Sequence, residues 1–202
     1  MQLIKGKDLI IYDDILDKKW LFHLDNELEN SEGWGFNCSG GLRTGYPPKP
    51  LYRFWGITLF KPTDEHFPFI NNTHKGLINE LFTFLDHFTQ EHFPEEKFLP
   101  HILHCNGQTI GQDGDAHQDM TIKNGKDCNY TLMIMVNNDW KKEWGGEFEI
   151  MDDLGPDANT IDSIEYVPGR VIWFNGKLPH RGLAPLAPNV LRKTIVFKLE
   201  KL

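Results

Sequence analysis

The chain has 202 residues, with 21 Lys and Arg against 29 Asp and Glu and a formal net charge of −8. That length suits one domain, and a content of 40% hydrophobic and 12% aromatic residues is that of a packed globule, not of a disordered chain. The acidic balance, without any run of Lys and Arg, argues against a nucleic-acid partner, and the longest strongly apolar run, Leu132–Val136, is far too short to span a bilayer.

Leu3–Tyr12 reads as a short strand interrupted by Gly6. Asp13 or Asp14 then caps a helix whose apolar stripe runs through Ile15, Leu16, Trp20, Leu21, Leu24 and Leu28. Residues 31–50 are rich in Gly and Pro and read as a long loop with a short strand at Trp34–Asn37. Leu51–Phe60 reads as a strand. Pro68–Phe93 reads as a second helix, because Ile70, Leu77, Ile78, Leu81, Phe82, Leu85 and Phe88 recur at three-to-four spacing. His66, His74, His87 and His92 fall in or near it and read as solvated side chains without a metal role. After Pro94 come short strand-like runs: Phe98–Cys105, Asn129–Val136, Glu147–Met151, Arg170–Phe174 and Leu191–Leu199. Two helices followed by strands predict an α+β fold, a sandwich or barrel with helices on one face.

The cysteines, Cys38, Cys105 and Cys128, form no C-x-x-C pair, so neither a cysteine zinc site nor a disulfide framework is expected. With no signal-peptide pattern at the N-terminus, a cytoplasmic setting is the expectation.

The chemistry concentrates late in the chain. His117-Gln118-Asp119 offers an imidazole and a carboxylate, and a bare H-x-D tripeptide is expected about once by chance in such a composition. The chain contains its own control in His23-Leu24-Asp25. That copy lies inside the first predicted helix, where residues two apart point roughly 200° around the axis from each other and cannot share a metal. His117 and Asp119 instead follow a Gly/Asp-rich loop in an extended segment, where i and i+2 share a face. Pro168-Gly169-Arg170 turns into an apolar strand, and residues 175–179 turn back to deliver His180. Two imidazoles and one carboxylate are the donor set of non-heme Fe(II) oxygenases, which leave the opposite face of the ion open. Arg192 and Thr194 lie two apart on the last strand and share a face, with Lys193, Ile195 and Phe197 on the other. An inward guanidinium needs an anionic partner, and a dicarboxylate fits one.

Taken together, NGQTIGQDGDAHQD, YTLMIMVNNDWKKEWGGEFEI, PGRVIWFNGKLPHRG and LRKTIVFKL resemble the Fe(II)/2-oxoglutarate-dependent dioxygenases, and among them the small prolyl 4-hydroxylase-like proteins of bacteria and viruses. The resemblance covers roughly Phe98–Leu199. It implies a double-stranded β-helix, a jelly-roll of two sheets with N-terminal helices packed on one. It also implies a single oxygenase domain over 1–202, in which 1–97 supplies support and a lid and 98–202 the catalytic core. Position by position it makes His117, Asp119 and His180 the iron ligands, Arg192 the anchor of the distal carboxylate of 2-oxoglutarate, and Thr194 its helper. Many relatives carry a tyrosine in the strand before H-x-D that touches the co-substrate. Here His104 stands in that stretch and is the candidate substitute. Collagen-type relatives use a lysine for the carboxylate, but Lys193 should face away. Trp144-Gly145-Gly146-Glu147 and Asn137-Asn138-Asp139-Trp140 read as structural turns.

The resemblance implies Fe(II), 2-oxoglutarate and O₂ as cofactors, ascorbate as reductant, and release of succinate and CO₂ as an unactivated C–H bond is hydroxylated. Asp119 argues against a halogenase, which needs that carboxylate replaced by a small residue. The expected substrate is a peptidyl proline, so the partner is a peptide or protein. Oxidation of a free amino acid or other small molecule is the alternative, and a non-catalytic jelly-roll metal-binding module the alternative from a different class. Trp34, Arg43, Tyr46, Tyr52 and Trp55 are the candidate substrate contacts, as aromatics and a cation in or beside a lid formed by the Gly/Pro-rich segment.

Overall fold

A computed structural model describes residues 2–4, 8–38, 54–61, 68–119, 129–154 and 157–202. Its elements are β1 (Gln2–Ile4), β2 (Leu9–Tyr12), α1 (Lys18–Glu29), β3 (Gly35–Cys38), β4 (Phe54–Lys61), β5 (Phe69–Ile70), α2 (Lys75–His92), β6 (Phe98–Gln108), β7 (Tyr130–Met135), β8 (Phe148–Met151), β9 (Thr160–Ile164), β10 (Val171–Asn175), β11 (His180–Gly182) and β12 (Arg192–Lys201). A major sheet runs β1-β2-β10-β7-β12-β6-β4-β3, with β5 on β4, and a minor sheet runs β11-β8-β9. Neighbouring strands in both sheets pair antiparallel. This is the expected α+β jelly-roll. The order β10-β7-β12-β6 is not sequential because the chain crosses to the minor sheet for β8 and β9 between β7 and β10, and again for β11 between β10 and β12.

Strand parity explains the three layers. On β12, Ile195, Phe197 and Leu199 point to the helices and join Leu132, Ile134, Val171 and Trp173 in a cluster with Leu24 and Leu28 of α1 and Leu77, Ile78, Leu81, Leu85 and Phe88 of α2. The opposite face of the major sheet packs Ile11, Met133, Ile172 and Val196 against Phe148, Ile150 and Ile164 of the minor sheet. The site lies in this second layer. Lys193 does face away from it, buried under α1, with its ammonium paired to Asp25 at 2.8 Å and to Glu29. Phe197 is fully buried between the helices and the sheet. Phe197→Ala is expected to cost about 3–5 kcal/mol, read as a lower urea midpoint at unchanged slope.

Several boundaries differ from the sequence reading, each for a visible reason. Asp17, not Asp13 or Asp14, caps α1 by accepting from the Lys19 and Trp20 N–H groups. Asp13 is instead held by the Arg170 guanidinium at 2.7 and 2.9 Å, and Asp14 has φ 61°. The second helix starts at Lys75 rather than Pro68 because Phe69 and Ile70 pair with Lys61 and Phe60. His74 is not solvated: it is buried at the mouth of α2, with Nε2 3.1 Å from Ser31 Oγ. His92 packs against Tyr12, ring centroids 4.5 Å apart, whereas His87 is exposed as expected, and His66 lies outside the described residues. The short strands β9 and β11 are additions that the sequence reading lacked. Strands from either side of residue 97 share the major sheet, since β2 pairs with β10 and β4 with β6. Among the described residues no helix is long and apolar enough to cross a membrane. The Cys105 thiol is free and buried.

Candidate metal centre and co-substrate cradle

His117 and His180 are directly opposed across an isolated antiparallel bridge. Each accepts the other's N–H on its carbonyl at 2.9 Å. The backbone therefore sets the spacing of the two rings, whose centroids are 4.3 Å apart. Asp119, two residues on, is fixed by its own N–H donating to the Gly176 carbonyl at 2.8 Å. The ligand atoms of His117, Asp119 and His180 all lie within 4.8 Å of one another, with Asp119 Oδ1 3.6 Å from His117 Nε2 and Asp119 Oδ2 3.7 Å from His180 Nε2.

The ring orientations favour a metal. Nδ1 of His117 lies 2.8 Å from the Asp115 carbonyl and Nδ1 of His180 2.8 Å from the Leu178 carbonyl. A carbonyl can only accept, so both Nδ1 atoms carry the proton and both Nε2 lone pairs are left for an ion. His180 is wrapped by Phe148 and Phe174, with ring centroids at 5.1 and 4.7 Å. Burial first, and the neighbouring His117 second, lower its pKa to about 3. Burial works to raise the Asp119 carboxyl, but Lys198 foremost, then His180 and His117, hold it well below the ordinary range. Both groups are thus in the form that binds a metal at neutral pH. The twin at His23 does not converge on a site: His23 sits on α1, 3.3 Å from Glu80.

Further along the same inward face lies a cationic cradle. Arg192 is 2% exposed. Its Nε donates to the Gly146 carbonyl at 2.7 Å, its Nη1 to Gln108 Oε1 at 2.8 Å, and its plane lies over the Tyr166 ring at 5.0 Å. Its Nη2 is buried with no hydrogen-bond partner. Burial lowers its pKa to about 10, so the guanidinium remains charged at neutral pH. A buried charged donor left unmatched costs free energy unless a ligand completes it. Thr194 shares this face and is buried. His104 stands opposite Val196, midway along β12 between Arg192 and Lys198. Burial first, then Lys198, lowers its pKa to about 4, so its ring is neutral.

Gly145 and Gly146, both at positive φ (65° and 80°), are a structural turn as expected, and Gly146 also lies directly against Arg192. A Cβ on Gly146 would lie 2.9 Å from Trp140 and 3.0 Å from Arg192 Cδ. Gly146→Ala is therefore expected to cost roughly 1–3 kcal/mol and to displace the guanidinium. The expected result is a lower melting temperature together with weaker 2-oxoglutarate binding, measured by titration.

The substrate expectations fare differently. Trp34 does not line this face: its indole donates to the Leu28 carbonyl at 2.9 Å and covers Gly107 from the helix side. Trp55 stands directly across from Gly107, on that same far face, against Phe36 at 5.2 Å. Arg43, Tyr46 and Tyr52 lie outside the described residues, as does most of the expected lid over 32–50. Residues missed by sequence reasoning are Gln108 and Tyr166 beside Arg192, and Thr131 and Lys198 beside Asp119. Their only signal was strand parity: Gln108 and Lys198 fall on the inward set of β6 and β12, which becomes readable once the register is known.

A family model described as the 2OG-Fe(II) oxygenase superfamily matches residues 101–198. No curated protein matches the chain in sequence. Among solved structures, a prolyl hydroxylase from Trichoplax adhaerens in complex with a hypoxia-inducible-factor peptide fragment is similar at TM-score 0.63 and 14% identity, over 96% of this chain and 84% of that one. A prolyl-4-hydroxylase from Pseudomonas putida gives 0.61 and 13%, over 96% and 93%. The viral collagen prolyl hydroxylase of Paramecium bursaria Chlorella virus-1, solved with 2-oxoglutarate, gives 0.58 and 15%, over 96% of both chains. At these identities the likeness is one of fold.

Proposed function

Because the chain belongs to the 2OG-Fe(II) oxygenase superfamily and is an oxygenase using Fe(II), 2-oxoglutarate and O₂, we propose that it hydroxylates a peptidyl proline, with His117, Asp119 and His180 holding the iron and Arg192 anchoring 2-oxoglutarate. One observation carries the residue assignment: the buried, unmatched Nη2 of Arg192 opens onto the same layer as three convergent metal donors. A buried guanidinium with one nitrogen unmatched accepts a carboxylate far better than a neutral group. Proline is favoured as substrate because the similar folds include prolyl hydroxylases, one of them bound to a peptide. A cytoplasmic setting goes with this reading.

When bound, the iron and 2-oxoglutarate supply the oxidising power, coupling decarboxylation of the co-substrate to oxygen insertion. The protein's own residues bind, orient and exclude. The Asp115 and Leu178 carbonyls fix the imidazole tautomers. Thr131 and Lys198 fix the carboxylate. Gly146, Gln108 and Tyr166 hold the guanidinium and leave its Nη2, which would bind the co-substrate carboxylate, without a partner. Phe148, Phe174 and Met133 keep the layer dry.

The test supplies purified protein with Fe(II), ascorbate and 2-oxoglutarate, together with a panel of proline-containing peptides and free amino acids. Succinate formation coupled to a gain of about 16 Da on a peptide, the mass of one oxygen, is the expected result. Mass gain confined to free amino acids moves the assignment to a small-molecule oxygenase. Absence of succinate across the panel leaves a binding module.

A further inference from the structure

Lys198 is a cation that neither the metal nor the co-substrate assignment requires. It lies on the inward face of β12, six positions beyond Arg192, and its partner across the sheet is Thr131 on β7. Residues directly opposed on adjacent strands share a face at close range, and these two converge on one group. Thr131 Oγ1 donates to Asp119 Oδ2 at 2.8 Å, and Lys198 Nζ lies 2.7 Å from Asp119 Oδ1. Both oxygens of the carboxylate that faces His117 and His180 are therefore already held, each by its own donor. The ammonium side chain is 18% exposed and the carboxylate 6%, so the pair sits where charge interactions are only weakly screened.

We propose that Lys198, together with Thr131, is a positioning residue that restricts Asp119 to binding the metal through one oxygen. The inference rests on the iron assignment above. Its physical basis is a count of positions. A metal bound through two imidazoles and one carboxylate oxygen keeps three positions of an octahedron free, two for a chelating keto acid and one for O₂. A carboxylate that chelates with both oxygens leaves only two. Chelation by Asp119 would set the ion in competition with a held donor at each oxygen, Thr131 at Oδ2 and Lys198 at Oδ1, whereas binding through one oxygen meets only one of them; the Lys198 contact is charge-assisted and strong. The ammonium also keeps the centre one positive charge above its ligand set, which favours recruitment of an anionic co-substrate and opposes overly tight retention of the cation.

The test uses the full chain loaded with Co(II), whose visible spectrum reports coordination number and geometry, titrated with and without 2-oxoglutarate. One-to-one Co(II) binding by the unaltered protein, competed by Fe(II), checks the metal assignment itself; its absence sinks that assignment and the inference together. Given that binding, Lys198→Met is expected to tighten Co(II) by about tenfold (about 1.4 kcal/mol). It should also change the visible spectrum toward a more saturated ion and weaken 2-oxoglutarate binding by at least about tenfold, while Lys198→Arg restores the spectrum. Circular dichroism establishes that each variant is folded; if Lys198→Met is not, Lys198→Gln replaces it. Tighter Co(II) with an unchanged spectrum and unchanged 2-oxoglutarate affinity would mean that the ammonium merely competes with the ion for Asp119, and overturns the proposal. Loss of Co(II) binding in a folded Lys198→Met protein also overturns it, since Lys198 would then only shape the carboxylate for binding.

Discussion

Arg192→Met lowers the affinity for 2-oxoglutarate by about 100-fold while leaving metal binding intact; this is the expected result of titrating the co-substrate into Mn(II)-loaded protein. The guanidinium is buried, and its Nη2 has no hydrogen-bond partner. Hydrogen bonds to a charged group contribute about 1.5–3 kcal/mol each, which is roughly one to two decades of binding. The substitution also strips the Gly146 carbonyl and Gln108 Oε1 of their donor. Arg192→Lys separates the two effects. It keeps a positive charge but loses the planar fork, so it should recover part of the stability and little of the affinity. Unchanged 2-oxoglutarate affinity in a folded Arg192→Met variant would remove Arg192 from the cradle.

Asp119→Ala is expected to reduce succinate formation from 2-oxoglutarate, measured without any substrate, to background. Two neutral imidazoles remain, but the only anionic donor of the set is gone, and the Lys198 ammonium 2.7 Å from it loses its partner. An ammonium left facing the ion's place repels a divalent cation, so the loss exceeds that of one ligand bond. Metal content after dialysis falls with activity. The control is His23→Ala in the sequence twin, whose ring lies on α1 3.3 Å from Glu80 and whose loss should leave turnover within the error of the assay. Retained turnover in Asp119→Ala would refute its role as a ligand.

Much of the architecture was readable in the sequence, and the reasons differ by element. The apolar stripe of α1 and the alternation in β12 survive because burial selects them directly. Parity alone correctly separated Arg192 and Thr194 from Lys193. The start of α2 was misread because Phe69 and Ile70 fit the helical period while being claimed by β4, a tertiary pairing that no local pattern reveals. The same holds for Asp13, whose ion pair with Arg170 spans most of the chain. In the site, His117-x-Asp119 was legible only through its context. Thr131 and Lys198 were not, because their convergence on Asp119 depends on the register of β7 with β12. Trp34 illustrates the reverse error: an aromatic in a Gly-rich segment suggests a lid, yet the glycine that matters is Gly107, whose missing side chain gives the indole a seat on the helix side.

The bridge between His117 and His180 has a mechanical meaning as well as a geometric one. Two reciprocal backbone bonds join positions far apart in sequence, and the Gly114–Gly182 and Asp119–Gly176 backbone bonds extend the same seam on either side. An ion gripped by both rings would be a reversible clasp joining the chain at 117 and 180, and because the donors converge only in the folded structure it would stabilise that state by mass action. Saturating metal at about 100 times its dissociation constant should then add about 2.7 kcal/mol to unfolding, and chelation should return it. If the ion binds there, the form depleted of metal is expected to be cleaved faster by protease within this segment than the loaded form, which limited proteolysis with and without chelator checks.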